Sequence, residues 1–178
     1  MRKYLLFCLA FCVLGCLAQD LIVRPNDPII YKKEGGAFLW LGDTAWELFH
    51  VLDKEEIVHY LDNRQKKGFT VIQAVILSEL DGLDKPNAYG YLPLIDKNPT
   101  QITEGYFELV DFVIREARKR GLYIGLLPTW ASNVVEKDGN PALFNPDNAY
   151  TYGKILGTRY KNEAVIWILG GDRNVATD

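Results

Sequence analysis

The sequence predicts an α/β fold, the N-terminal half of a (β/α)8 TIM barrel of about four strand-and-helix units. Apolar runs typical of buried strands alternate four times with helical segments, which is the order of a parallel sheet with helical crossovers. Long polar segments follow the second and third runs, where barrel enzymes carry functional loops. The 178 residues fall short of the roughly 250 of a complete barrel, so we expect a truncated barrel rather than a complete four-stranded open domain.

The first predicted unit is a strand at residues 38–43, a short apolar run that ends in Gly-Asp. A helix is predicted over residues 54–67, because apolar residues recur at helical spacing and a glycine follows as a stop signal. Residues 71–77 predict the second strand. The polar residues 78–101, which include Asp, Asn, Gly and Pro, predict a long loop.

The second half of the chain repeats this order. Thr103 is predicted to cap a strongly amphipathic helix over residues 104–120. The apolar face of this helix is formed by Phe107, Val110, Val113, Ile114 and Ala117. The third strand is predicted at residues 123–127, the third helix over 145–161, and the fourth strand at 164–169, without a closing helix.

The first 18 residues predict a signal peptide, and residues 21–178 the barrel part. Two basic residues precede an apolar stretch that is too short to span a bilayer. Residues 13–16 resemble a bacterial lipobox, which would make Cys16 a lipidated N-terminus, whereas cleavage after Ala18 is the alternative. We therefore expect an exported protein, periplasmic or at the cell surface, whose contact with a membrane is a lipid anchor.

Composition excludes several other classes of site. All three cysteines lie in the leader, so the mature domain is expected to lack disulfides and thiolate metal sites. The net charge of −3 comes with no basic stripe, which argues against nucleic acid as a partner. His50 and His59 match no metal-binding spacing and are expected at the surface or at helix caps. No dinucleotide fingerprint is present, and we expect neither cofactor nor metal.

The end of the fourth predicted strand carries the most informative pattern. The apolar residues 165–169 are followed by Gly170, Gly171 and Asp172. In a (β/α)8 barrel, catalytic groups lie at the carboxyl ends of the strands, which makes Asp172 a candidate catalytic residue. The alternative is that Asp172 only caps the next helix, a common role for aspartate.

Four motifs resemble the apiosidase-like glycoside hydrolases and occur in the order of that family. They are residues 38–49 (FLWLGDTAWELF), 68–73 (GFTVIQ), 126–130 (LLPTW) and 166–174 (IWILGGDRN). The resemblance covers residues 21–178 and implies a retaining glycosidase on a (β/α)8 barrel, similar to exported bacterial enzymes that remove side chains from pectin. It also implies that Asp172 is the general acid/base and that the nucleophile belongs to a later strand.

The four tryptophans divide into two pairs. Trp46 and Trp130 follow the first and third strands and are candidate platforms on which sugar rings stack. Trp40 and Trp167 lie within predicted strands and are expected in the core.

Three polar residues are further candidates for substrate binding. Asp43 ends the first strand and either accepts hydrogen bonds from sugar hydroxyls or forms a turn with the backbone that follows. Glu79 lies two residues past the second strand, and an exposed loop charge is the simpler interpretation. Asn174 would orient Asp172 or bind a sugar hydroxyl.

Two functions remain from the sequence. The first is a glycoside hydrolase that acts on a plant-type polysaccharide or oligosaccharide, which the resemblance implies is a side chain of pectin. These 178 residues alone are expected to be inactive. The second is a non-catalytic carbohydrate-binding lipoprotein that retains the aromatic platforms. A glutamate at the end of a seventh strand would favour the enzyme.

Overall fold

The computed structural model describes residues 21–136 and 141–171. Its strands and helices are, in chain order, β1 (Leu21–Val23), β2 (Ile30–Lys32), β3 (Gly42–Thr44), α1 (Lys54–Lys66), β4 (Val71–Leu77), α2 (Glu104–Lys119), β5 (Tyr123–Thr129), α3 (Pro146–Tyr160) and β6 (Val165–Trp167). Strands β3 to β6 form a parallel sheet in sequential order, and β1 and β2 form an antiparallel hairpin. The predicted alternation of parallel strands and helices is thus confirmed.

The two faces of the parallel sheet carry different side chains. Successive residues of a strand point to opposite faces, and the register pairs Ile72 of β4 with Asp43 of β3 and with Ile124 of β5. Ile72 and Ile124 belong to the cluster that packs against the helices, so theirs is the helix-facing side. Gln73 pairs with Gly125 and points to the opposite side, which we call the inner side.

Helix α2 supplies most of the helical contribution to the core. Its buried residues are Tyr106, Phe107, Leu109, Val110, Val113, Ile114 and Ala117, which include every member of the predicted apolar face. The Tyr106 hydroxyl donates a hydrogen bond to the carbonyl of Ile76, at 2.9 Å. The amphipathic pattern therefore identified the correct face, and Tyr106 additionally joins the helix to strand β4 near its carboxyl end.

The inner side holds two smaller apolar clusters. The lower one contains Phe38, Val71, Tyr123 and Ala164, with Leu21 and Ile30 of the β1-β2 hairpin packed against it. The upper one contains Val75, Leu127 and Trp130, with Trp46 and Ile168 packed against it. The hairpin, which the sequence did not predict, covers the amino end of the sheet and leaves the carboxyl end to the upper cluster.

The helix starts follow their capping residues, with one exception. Asp53 accepts from the backbone N–H of Glu56, whose carboxylate accepts from the N–H of Asp53, and Asn145 forms the equivalent pair at α3. Thr103 stands at the cap position of α2, but its side chain makes no cap hydrogen bond. Its backbone N–H instead donates to Pro93, at 3.0 Å, which ties the start of α2 to the preceding loop.

The predicted bounds of the first strand are wrong. Strand β3 begins at Gly42. Before it, the Leu41 carbonyl accepts from the backbone N–H groups of Thr70 and Val71, at 2.9 and 3.2 Å, while other backbone groups of residues 39–41 bond to the side chain of Thr70. The Thr70 hydroxyl donates to the carbonyl of Leu39, at 2.7 Å, and accepts from the N–H of Leu41, at 2.9 Å.

Trp40 and Trp167, expected in the core, are 38% and 40% exposed. Among the residues that the structure describes, Trp40 precedes edge strand β3 and Trp167 ends edge strand β6, so each has a neighbouring strand on one side only. Across residues 21–136 and 141–171, no helix is long and apolar enough to cross a bilayer.

Candidate active site

Trp46 and Trp130 meet at the carboxyl end of the sheet. Their ring centroids are 5.4 Å apart and their planes are tilted by 58°. Both tryptophans are tied to β4 through the backbone. The N–H of Ala45, next to Trp46, donates to the carbonyl of Gln73, at 2.8 Å, and the N–H of Trp130 donates to the carbonyl of Leu77, at 3.0 Å. Residues from the ends of β3 and β5 thus converge over β4, as the alternation of strands and helices predicts.

The two rings differ in how they are buried. Trp130 is 5% exposed, and its indole nitrogen Nε1 is buried with no hydrogen-bond partner among the described residues. Trp46 is only half-buried. A buried N–H without an acceptor is energetically costly, so the Trp130 ring keeps this position without the hydrogen bond that a buried indole usually makes.

A cleft of about 350 Å³ opens beside this ring pair. It is lined by Trp46, Leu127, Trp130 and residues 168–171. Gly171 lies so close to Ala131 that a Cβ at position 171 would be 3.1 Å from the Ala131 Cβ. Glycine therefore lets the end of the β6 segment approach the aromatic pair.

Asp172 follows Gly171 directly in the chain but lies outside the described residues, as do Asn174 and Cys16. Their catalytic, substrate-binding and lipidation roles therefore stay predictions. The structure describes the chain up to the wall of the cleft.

Asp43 lies on the opposite, helix-facing side of the sheet. The Tyr60 hydroxyl donates to its Oδ2, at 2.7 Å, and Arg64 forms an ion pair with the same oxygen. Burial, together with this hydrogen bond, holds the pKa of Tyr60 above its usual value. The carboxylate is thus engaged with α1 and does not share a face with the ring pair, so the geometry favours an anchoring role over a sugar contact.

Glu79 is an exposed charge in the loop after β4, as its simpler interpretation held. The middle of that long loop, predicted to be functional, packs on the helices. The Asn87 Oδ1 accepts from the N–H groups of Tyr89 and Tyr91, and the Tyr89 hydroxyl accepts from the N–H of Lys54 at the start of α1. The middle of the loop therefore holds itself together at Asn87 and contacts the start of α1 through Tyr89.

Glu47 is a residue of this region that the sequence analysis missed. Its Oε2 accepts a hydrogen bond from the Ser78 hydroxyl, at 3.3 Å, and its Oε1 is buried with no hydrogen-bond partner in the described part of the chain. Burial raises the pKa of the Glu47 carboxyl, against the opposing effects of His50 and Ser78. The sequence does contain a sign of this environment, since Glu47 stands between Trp46 and the apolar pair Leu48 and Phe49, which the fold buries.

The two histidines have different environments. His59 is exposed, as expected, whereas His50 is 8% exposed and its Nδ1 has no hydrogen-bond partner among the residues described. Of the two positions expected for His50, the surface one is wrong, because the turns after β3 carry it inward beside the fully buried Phe49. Within residues 21–136 and 141–171, no three histidine, cysteine or acidic side chains cluster as a metal site would require.

Comparison with known protein families matches this chain to a family of glycoside hydrolases. The family described as "Apiosidase-like, catalytic domain" matches residues 24–178. A search of curated proteins gave no match.

Solved structures give the same fold. A glycoside hydrolase family 5 protein from Bacteroides vulgatus is 32% identical, with a TM-score of 0.73 over 85% of this chain and 32% of its own. A structure titled "Glycoside hydrolase" is 35% identical, with a TM-score of 0.73 over 85% of this chain and 34% of its own. An endo-1,4-beta-D-mannanase from Thermotoga petrophila, at 15% identity and a TM-score of 0.52 over 79% of this chain and 47% of its own, shares the fold. The chain thus spans about a third of the length of the first two structures.

Proposed function

Because the chain belongs to the apiosidase-like catalytic domain family, we propose that its protein hydrolyses a glycosidic bond at the cleft beside Trp46 and Trp130. The observation that carries this proposal is the convergence of the aromatic pair and residues 168–171 on one cleft. Aromatic rings at the carboxyl end of such a sheet suit a sugar ring, whose apolar face packs on them.

Asp172 is the general acid/base in this proposal. It follows the glycines that end the cleft wall, the position from which barrel enzymes present catalytic groups. A retaining mechanism pairs it with a second carboxylate about 5–5.5 Å away, which attacks the anomeric carbon while the acid protonates the leaving oxygen. The Asp172 carboxylate left by that proton transfer then removes a proton from the water that attacks the glycosyl-enzyme and releases the sugar. By family resemblance, that second carboxylate comes from a later strand.

The substrate we propose is a side chain of pectin or a related plant oligosaccharide. Its polymeric source fits an exported enzyme, and the leader predicts export, with a lipid anchor at Cys16 as the favoured form. Mass spectrometry of the mature protein from membranes tests the anchor. A diacylglyceryl-modified Cys16 at the N-terminus supports it, and an N-terminus at Gln19 replaces it by ordinary secretion.

The activity is tested by replacing Asp172 with asparagine in the full-length protein. Hydrolysis of pectin-derived oligosaccharides should fall by about 10²–10⁴-fold, the usual worth of general acid/base catalysis. An activated aryl glycoside should lose less in the glycosylation step, because its leaving group needs no proton. Asp147→Asn, an exposed aspartate on α3, is the matched control and should retain activity.

Two results would count against this assignment. Equal loss for both substrate types in the isolated glycosylation step would exclude the acid role of Asp172. Tight oligosaccharide binding without hydrolysis by the unmodified protein would instead establish a carbohydrate-binding protein.

A further inference from the structure

The end of β4 contacts both segments that carry the aromatic pair. The carbonyl of Leu77 accepts from the backbone N–H of Trp130, at 3.0 Å. The hydroxyl of the next residue, Ser78, donates to the carboxyl of Glu47, which adjoins Trp46. Two consecutive residues of β4 and its loop therefore hold Trp130 through its backbone and Trp46 through the side chain of its neighbour.

The backbone around Glu47 makes this side-chain contact a suitable tether. Leu48 and Phe49 are buried in the helix-facing core, at 2% and 0% exposure. The Glu47 carbonyl accepts from the N–H groups of His50 and Val51, at 3.0 and 2.9 Å. The backbone after Glu47 is thus held by buried side chains and by the turn. The half-buried Trp46 ring, one residue before Glu47, packs on the inner side of the sheet. Glu47 therefore joins the part of the chain in the helix-facing core to the ring on the inner side.

We propose that Glu47 is a positioning residue that, through the hydroxyl of Ser78, fixes the Trp46 ring against Trp130 over the cleft. The ring geometry is a property of the fold, and its consequence for sugar affinity rests on the proposed function. The residues that line the cleft include Trp46 but not Glu47. Any effect of Glu47 on sugar binding is therefore exerted through the Trp46 ring.

Protonation of Glu47 should reach the same ring. The groups that face its carboxyl are His50 on its own turn, Ser78 and Glu79 after β4, and the Tyr106 hydroxyl from α2. Burial raises the pKa of Glu47, and the charge of Glu79 adds to that rise, while His50 and Ser78 oppose it. A change at Trp46 should therefore occur at a pH above the ordinary glutamate value.

The ring arrangement is measured directly with 5-fluorotryptophan incorporated into the full-length protein. The Trp46 fluorine resonance is assigned by its loss in Trp46→Phe and followed from pH 4 to 8. Glu47→Ala and Ser78→Ala should each shift it, and the double variant should shift it no further than one of them. In Glu47→Gln, the Trp46 resonance should stay at the position that the unmodified protein shows at low pH, because the amide oxygen accepts from Ser78 as the protonated carboxyl does. Its position should then no longer depend on pH. Glu55→Gln, an exposed glutamate on α1, should match the unmodified protein.

Sugar affinity supplies a second, separate readout. Glu47→Ala should weaken oligosaccharide binding about 3- to 10-fold, the worth of one hydrogen bond, with Glu47→Gln close to the unmodified protein. If no sugar binds at all, the proposed function fails while the fluorine spectra still test the tether. A Trp46 resonance unchanged in both alanine variants overturns the proposal. So does a titration that persists in Glu47→Gln and disappears in His50→Gln, since it then reports His50.

Discussion

Replacing Trp130 with alanine tests how far this ring is a packing element as well as a binding surface. Its side chain is 5% exposed, and an aromatic side chain buries about 150–250 Å². At about 25 cal/mol per Å², that area corresponds to about 4–6 kcal/mol as an upper bound. Measured truncations of buried tryptophan cost about 3–5 kcal/mol, and we expect that loss in the free energy of unfolding.

The companion variants make this result interpretable. Trp46→Ala should cost less stability, because the Trp46 ring is only half-buried, but it should also lose the aromatic pair, worth about 0.5–1.5 kcal/mol. Tyr150→Ala, at a residue 73% exposed on α3, is the control and should stay within about 0.5 kcal/mol.

Urea unfolding of the full-length variants gives the stabilities by linear extrapolation, and titration calorimetry with a pectin-derived oligosaccharide gives the affinities. We expect Trp130→Ala to lose both, and Trp46→Ala to lose affinity at a smaller cost in stability. A Trp130→Ala variant as stable as Tyr150→Ala, with affinity reduced more than tenfold, would refute the packing argument.

Two further predictions concern the surroundings of the site. Gly105→Ala would place a Cβ 2.5 Å from ring carbons of Tyr91. The loop after β4 should therefore be displaced from α2 and cut faster in limited proteolysis. An unchanged cleavage rate would show that the Tyr91 ring moves aside without displacing the loop. The raised pKa of Glu47 means that the folded chain binds more protons than the unfolded chain between the ordinary and raised values. Stability should therefore fall as the pH rises through that window, and urea midpoints should show this component in the unmodified protein but not in Glu47→Gln.

The regular elements were predictable because their local pattern and their packing agree. Strand β4 is apolar on both faces, and the structure buries both, so its predicted bounds match those observed. Helix α2 carries one apolar face between a polar loop and a glycine, and its predicted end differs by a single residue. A nearly continuous apolar run decides the structure of β4, and a helical period of apolar residues decides that of α2.

The contacts of polar side chains were less predictable, because their partners are remote in sequence. The position of Asp43 after a strand fits a sugar contact as well as a structural one, and only the register of β3 with β4 shows that it faces α1. The backbone just before β3 bonds to the hydroxyl of Thr70, some thirty residues away. Glu47 was missed because its partner, Ser78, lies beyond a helix and a strand, so no local spacing brings the two together.

Asp43→Asn separates the two roles that the sequence left open for this residue. The amide keeps the size of the side chain and an acceptor for Tyr60, but it removes the charge that faces Arg64. The side chains of Asp43 and Arg64 are 25% and 26% exposed. The expected loss therefore lies between that of a surface pair and that of a fully buried one, at about 1–3 kcal/mol in the free energy of unfolding.

The control for Asp43→Asn is Asp84→Asn, which removes an ion pair with Lys97 whose side chains are more than half exposed, and which should cost less than about 1 kcal/mol. Oligosaccharide affinity should be the same in Asp43→Asn as in the unmodified protein, because the Asp43 carboxylate faces the helices. The Arg64→Gln variant should lose similar stability, and the double variant should lose less than the sum, since both remove one interaction. Unchanged stability together with a tenfold loss of affinity in Asp43→Asn would instead place this carboxylate in contact with the sugar and contradict the anchoring role.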